Sequence, residues 1–143
     1  MGMHAWHIMK EKISVGPDTK AQEVALKMIS SGLPAIPVVD DTLEVLGMAT
    51  EFAVLGAIRA GLDLDTITAG AMMVKTPLIT DINTPLDDLV GMLLANNCCS
   101  VVALVNNNKY AGLVSRGMLM DIFTSPHYTR FSQKDRKGRF ACL

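Results

Sequence analysis

A mixed α/β fold built from two copies of a β-α-β-β-α unit is what this sequence predicts, and three observations carry that prediction. The first is a hairpin pattern, Ile36-Pro37-Val38-Val39-Asp40-Asp41-Thr42-Leu43-Glu44-Val45-Leu46-Gly47-Met48-Ala49-Thr50. It returns in altered form about 65 residues later as Val102-Ala103-Leu104-Val105-Asn106-Asn107-Asn108-Lys109-Tyr110-Ala111-Gly112-Leu113-Val114-Ser115. In each copy a β-branched apolar run meets an Asp or Asn turn, and a second apolar run ends in Gly-apolar-x-Thr/Ser. The second observation is a helical stripe before each hairpin: Ala21, Val24, Ala25, Met28 and Ile29 are answered by Leu86, Leu89, Val90, Leu93 and Leu94. Apolar residues at i, i+3, i+4, i+7 and i+8 give one buried face. The third is that both helices begin with stop-start signals. Thr19 followed by Gln22 has the capping-box pattern, and Thr84 is followed by Pro85 and by Asp87 in the first turn. Duplication of one unit is the organising fact.

In chain order, residues 1–12 carry His4, Trp6, His7, Ile8 and Met9, and lead into a first strand at Ile13-Ser14-Val15, stopped by Gly16-Pro17-Asp18. The first amphipathic helix spans 21–31, ended by Gly32 and Pro34. After the first hairpin a second helix covers 51–60, with Gly61 as a left-handed cap, and residues 62–68 link the halves. The second copy starts from Ala69-Gly70-Ala71-Met72-Met73. It repeats strand (Leu78-Ile79-Thr80), helix and hairpin, and closes with a helix over 116–123 before Ser125-Pro126. The expected divisions are repeat one at 1–64, repeat two at 65–125 and a basic tail at 126–143.

A chain of 143 residues suits one domain, or two small units sharing a core, because either half alone buries too little apolar surface. Hydrophobic residues are 50% of the chain and charged ones 19%, which excludes a disordered chain and leaves apolar surface for a partner. A homodimer or larger assembly is expected. No apolar run reaches the length of a membrane span, since the densest region, 86–105, is broken by Asp87, Asp88, Asn96 and Asn97. Residues 1–12 lack a signal-peptide core, and three cysteines, two of them adjacent, do not form a disulfide framework. A cytoplasmic location is the expectation.

Net charge is −1, but Arg130, Lys134, Arg136, Lys137 and Arg139 against Asp135 give the tail +4 and leave −5 on the remainder. An acidic body is unsuited to nucleic acid, whose phosphates require a basic face. The tail reads as solvated, or as an arm for an acidic partner or a bound phosphate. His4 and His7, spaced i, i+3, suit a metal on a helix, yet no third ligand has matching spacing. A structural segment is the plainer reading. Cys98 and Cys99 read as small core residues rather than a redox pair, because adjacent cysteines seldom form an unstrained disulfide. No nucleophile, base and orienting acid stand in a recognisable pattern, and no phosphate-loop or dinucleotide fingerprint occurs, so no catalytic residue is assigned.

The tandem unit, with Ile36-Pro37-Val38-Val39-Asp40 and Gly47-Met48-Ala49-Thr50, resembles the CBS domain pair, also called the Bateman module, over about residues 5 to 124. The resemblance implies two units related by a pseudo-twofold axis, with clefts that in this family commonly hold AMP, ATP or S-adenosylmethionine. It also implies sensing rather than catalysis, and disc-shaped dimers. The family's ligand motif, Gly-apolar-x-Thr/Ser-x-x-Asp, places a hydroxyl on phosphate and an Asp on ribose. Thr50 and Ser115 match the hydroxyl position, but Ala53 and Met118 stand where the carboxylates belong. Thr50 and Ser115 also sit where helix N-caps belong, a role compatible with phosphate binding.

Two functions are therefore expected to compete. In the first, a regulatory module takes an adenine nucleotide (AMP, ADP or ATP) or S-adenosylmethionine. Adenine would lie against Ile36, Val38 or Val102, and phosphate towards Thr50 or Ser115, with Arg116 and Lys10 as nearest cations. With no effector domain attached, such a module acts in trans on a protein partner. In the second, the clefts are closed by side chains such as Met118, and the fold serves as a ligand-free interaction and dimerisation module.

Overall fold

The computed structural model describes residues 2–126, so the expectation of a basic tail lies outside the described residues except at Pro126. The first repeat contributes α1 (Ala5–Ile8), β1 (Lys10–Glu11), α2 (Ala21–Ser31), β2 (Ala35–Val39), β3 (Val45–Thr50) and α3 (Glu51–Arg59). The second contributes α4 (Ala69–Met72), β4 (Leu78–Asp81), α5 (Leu86–Ala95), β5 (Val101–Asn106), β6 (Lys109–Ser115) and α6 (Arg116–Thr124). Both predicted hairpins form, as β2 with β3 and β5 with β6, each antiparallel. The second turns through Asn107 and Asn108 at φ 54° and 66°. Two consecutive positive φ values define the hairpin turn whose twist matches that of the strands, and Asn tolerates them better than other side chains.

One sheet has the order β1-β6-β5-β4, with β4 parallel to β5; the other is β2-β3. The smaller sheet is extended on both edges by single bridges, Val15 parallel to Val38 and Val74 antiparallel to Met48. Both halves thus share one frame, of which only the second has a full outer strand. The predicted strand at Ile13-Ser14-Val15 is reduced to that one bridge, in which Val15 N–H donates to Pro37 O at 3.0 Å and Val39 N–H donates to Val15 O at 2.8 Å. Lys12 at φ 63° turns the chain before it, and Gly16-Pro17 stops pairing after it.

The segment that opens each repeat packs on the opposite repeat. Lys10 and Glu11 pair with Leu113 and Gly112 of the second sheet, while Val74 exchanges two backbone bonds with Met48 of the first, at 2.9 and 2.8 Å. Ala5 N–H donates to Thr84 O at 2.8 Å, and Ala69 N–H donates to Thr19 O at 2.7 Å. This exchange corrects the predicted caps. The first amides of α2 donate to the linker, Ala21 to Ile67 O at 2.8 Å and Gln22 to Leu64 O at 3.1 Å; Leu86 of α5 donates to Met3 O at 3.1 Å. Thr19 and Thr84 are thereby released from capping: Thr19 Oγ1 accepts from Gly16 N–H at 3.1 Å, and Thr84 Oγ1 bonds Thr80 Oγ1 at 2.8 Å. Orphan amides at a helix start need acceptors, and backbone carbonyls from the neighbouring segment supply them.

Crossed segments require glycine where they touch the hairpins. A Cβ on Gly47 would stand 2.5 Å from Val74 O and 2.7 Å from Met73 Sδ; one on Gly112 would stand 2.9 Å from Lys10 O and 3.0 Å from Met9 Sδ. Each repeat has its own core, and each recruits the other's opening segment. Val24, Met28, Ile36, Val38 and Val54 pack with Ala69, while Leu86, Leu89, Val102, Val114 and Leu119 pack with Ala5. A third cluster joins the halves, Leu33, Ala35, Val39 and Met48 meeting Val101, Ala103, Tyr110 and Leu113. The Tyr110 hydroxyl donates to Ile13 O, and Tyr110 N–H donates to Leu43 O at 2.7 Å, which ties the hairpin tips together.

Candidate functional site

Between the repeats lies a cleft of about 530 Å³. One wall is the first hairpin and the start of α3, with Pro34, Ala35, Met48, Thr50, Glu51 and Phe52. The other is built by the second repeat from Val74, Thr76, Pro77 and Leu78, from 96–101 after α5, and from Arg116. A mixed apolar wall with a few convergent polar groups is the usual form of a small-molecule site.

Thr50 caps α3. Its Oγ1 accepts from Ala53 N–H at 3.1 Å, which leaves the hydroxyl proton to donate to a ligand at the positive end of the helix dipole. The Glu51 amide is consumed by Pro34 O at 3.1 Å. Arg116 is exposed at the start of α6, its amide donating to Ser100 O at 3.0 Å. Among the described residues the cleft holds one cation, Arg116, and one anion, Glu51.

The second predicted hydroxyl has a different setting. Ser115 is 6% exposed, and its Oγ accepts from Met118 N–H at 3.2 Å. Met118 Sδ stands 3.4 Å from the Ser115 amide, so the thioether covers the end of α6 where a phosphate would approach. Met118 also packs against two core clusters.

Of the residues expected to touch a ligand, Thr50 and Arg116 come together in this cleft, and the rest stand elsewhere. Ile36, Val38 and Val102 are 0% exposed and face the cores, which corrects their assignment to the adenine wall. Each lies in an uninterrupted buried stretch, 35–39 of β2 or 101–104 of β5, and packs inside its own repeat's core, while Ala35 and Val101 at the starts of these stretches border the cleft. Lys10 is exposed on β1 opposite Leu113 and does not line the cleft. Ala53 is half-buried inside the first turn of α3 and brings no carboxylate. Sequence reading missed Glu51, Phe52, Val74 and the turn at 96–99. Gly47 carried the signal for Val74, since a glycine inside a strand marks a close backbone approach.

The His4–His7 pair is engaged locally: His4 N–H donates to His7 Nδ1 at 2.8 Å, and the Trp6 ring stacks on His7 at 3.9 Å. Among the described residues no group of three or more His, Cys, Asp or Glu is placed to hold a metal, and no helix is long and apolar enough to cross a membrane. Cys98 and Cys99 do not enter the core as expected. They lie at the cleft, Cys98 exposed and Cys99 half-buried, because the turn after α5 holds them outside β5.

Comparison with known proteins gives a consistent picture. A family profile for the CBS domain matches twice, at residues 5–60 and 69–125. No curated protein sequence matches significantly. Among solved structures, CBSX2 in complex with AMP is 20% identical with a TM-score of 0.72, the match covering 84% of this chain and 95% of that one. The CBS domain pair of protein MJ0100, in complex with 5′-methylthioadenosine and S-adenosyl-L-methionine, is 17% identical with a TM-score of 0.74, covering 86% and 97%. A CBS-domain protein from Agrobacterium tumefaciens is 22% identical with a TM-score of 0.71, covering 83% and 98%. At such identities the likeness is one of fold.

Proposed function

Since this chain belongs to the CBS domain family as a tandem pair, we propose that it is a regulatory, non-catalytic module that takes one adenosyl ligand in the Thr50 cleft and acts in trans on a protein partner. The observation that carries this reading is the meeting of Thr50 and Arg116 in an open cleft of about 530 Å³ walled by both repeats. A ligand bridging the walls would couple the two halves, the element a sensor requires. Solved relatives described with AMP, and with 5′-methylthioadenosine and S-adenosylmethionine, support the ligand class.

Among the described residues one Arg116 against one Glu51 leaves the cleft near neutral, which ranks AMP and S-adenosylmethionine above ADP and ATP. Pro34, Val74 and Leu78 supply the apolar contact that adenine needs in place of Ile36, Val38 and Val102. The Ser115 position, covered by Met118, takes no ligand. Calorimetric titration of the four ligands tests the proposal.

The reading as an interaction module is favoured by a separate observation and is part of the same proposal. Exposed apolar side chains gather on the helices: Ile29 at 77%, Phe52 at 83%, Leu94 at 76% and Met120 at 65%. An apolar groove of about 730 Å³ runs between α5 and α6 past Leu93, Leu94, Leu119 and Phe123. A second copy of the chain is the proposed occupant, giving a homodimer through these helices. Closed clefts throughout, the ligand-free alternative, do not agree with the open space beside Thr50.

A further inference from the structure

We propose that Cys98 and Cys99 form a two-thiolate site for a soft, low-coordinate metal ion of the cuprous class at the mouth of the cleft. The two Sγ atoms stand 4.0 Å apart, far beyond the bonding distance of a disulfide, and both residues line the cleft. With metal–thiolate bonds of about 2.3 Å, a separation of this size corresponds to a sulfur–metal–sulfur angle of about 120°. That is the angle of a trigonal site with one position left open.

The turn carrying the pair is fixed from both sides. Cys99 N–H donates to Asn96 O at 2.8 Å, Asn96 Nδ2 donates to Met92 O at 2.9 Å, and Ser100 O accepts from Arg116 N–H at 3.0 Å. The thiols are thus presented together rather than on a free loop. No third His, Cys, Asp or Glu joins the pair among the described residues. Zinc asks for four ligands, whereas thiolate softness selects cuprous ion. Burial pushes the Cys99 thiol up, and the adjacent Cys98 pushes it further. Binding replaces two thiol protons by one cuprous ion; two protons pass to solvent and the site gains one negative charge. Arg116 in the same cleft is placed to offset that charge.

The test uses the full chain carrying Cys142→Ser, titrated anaerobically with cuprous ion buffered by a chromophoric chelator. Copper stoichiometry, proton release and X-ray absorption are recorded. The expected result is one ion per chain with two sulfur neighbours and two protons released. Cys98→Ser and Cys99→Ser, each shown folded by circular dichroism, should each weaken binding by at least about tenfold. Failure of the chain to hold copper against the chelator would overturn the proposal. So would one ion shared by two chains, or the same occupancy in the Cys98→Ser/Cys99→Ser double variant.

Discussion

Ser115 and Met118 cap each other: the serine hydroxyl accepts the methionine amide at 3.2 Å, and the methionine sulfur faces the serine amide at 3.4 Å. Thr50 and Ala53, the matching pair in the first repeat, make only the first of these contacts, at 3.1 Å, because alanine has nothing to return. The two ends of the pseudo-symmetric pair therefore differ in access by one side chain. Replacing Met118 by Asp removes the thioether and adds a carboxylate at the position that family resemblance assigns to ribose. A charged hydrogen bond contributes about 1.5–3 kcal/mol, so adenosine affinity at this end should rise on the order of ten- to a hundredfold. Titration of adenosine into Met118→Asp should reveal a second site per chain; unchanged stoichiometry and affinity would show that something besides Met118 closes this end.

The crossed segments set a stability prediction. Gly47→Ala brings a methyl within 2.5 Å of a backbone carbonyl, and Gly112→Ala within 2.9 Å of its counterpart. Both should destabilise, by about 1–3 kcal/mol as for other overpacked sites, with Gly47→Ala the worse. Urea melts of both variants measure the order, and a reversal would mean that the first repeat yields more readily than its geometry implies.

Tyr110 sets a pH dependence. Burial pushes its phenol above the ordinary value of 10.0, so the folded state prefers the protonated form. That stability is fully present below the unfolded pKa and is lost as pH rises from there through the folded pKa. In a Tyr128→Phe background the remaining phenol should ionise only with alkaline unfolding, followed by near-ultraviolet absorbance. Ionisation at the ordinary tyrosine pH in a folded protein would show the contact with Ile13 O to be open.

The exposed helix faces predict association. Sedimentation velocity should give a dimer for the wild type, and Ile29→Glu with Leu94→Glu, at side chains 77% and 76% exposed, should shift it to monomer without lowering the melting temperature of the monomer. A wild type that stays monomeric at tens of micromolar would remove the dimer from the proposed function.

Much of the fold was legible because local signals agreed with the tertiary result. The stripe Val24, Met28 and its partner Leu89, Leu93 became the two buried helix faces, although Ile29 and Leu94, placed on the same faces by the sequence pattern, stay 77% and 76% exposed, and the Asn107-Asn108 turn formed where polar residues interrupted the apolar runs. What escaped was non-local. Thr19 and Thr84 looked like caps in the sequence, but linker and N-terminal carbonyls far along the chain took that role. The cleft was half legible for the same reason. Thr50 announced itself through its motif, while Val74 reached the site only through the crossing of its segment onto the first hairpin, and the turn of Asn96 and Cys98 only through the packing of one repeat against the other. Ile36, Val38 and Val102 misled because a continuous apolar run does not say which face, if any, is open.

Thr50 gives the most direct test of the proposed function. Calorimetric titration of AMP and S-adenosylmethionine should find one site per chain in the wild type. Thr50→Ala and Arg116→Gln should each weaken it on the order of tenfold or more, the first also losing about 1 kcal/mol of stability with the helix cap. Ser115→Ala should leave affinity unchanged. No binding by the wild type, or binding that survives both cleft substitutions and fails in Ser115→Ala, would contradict an adenosyl ligand in the Thr50 cleft.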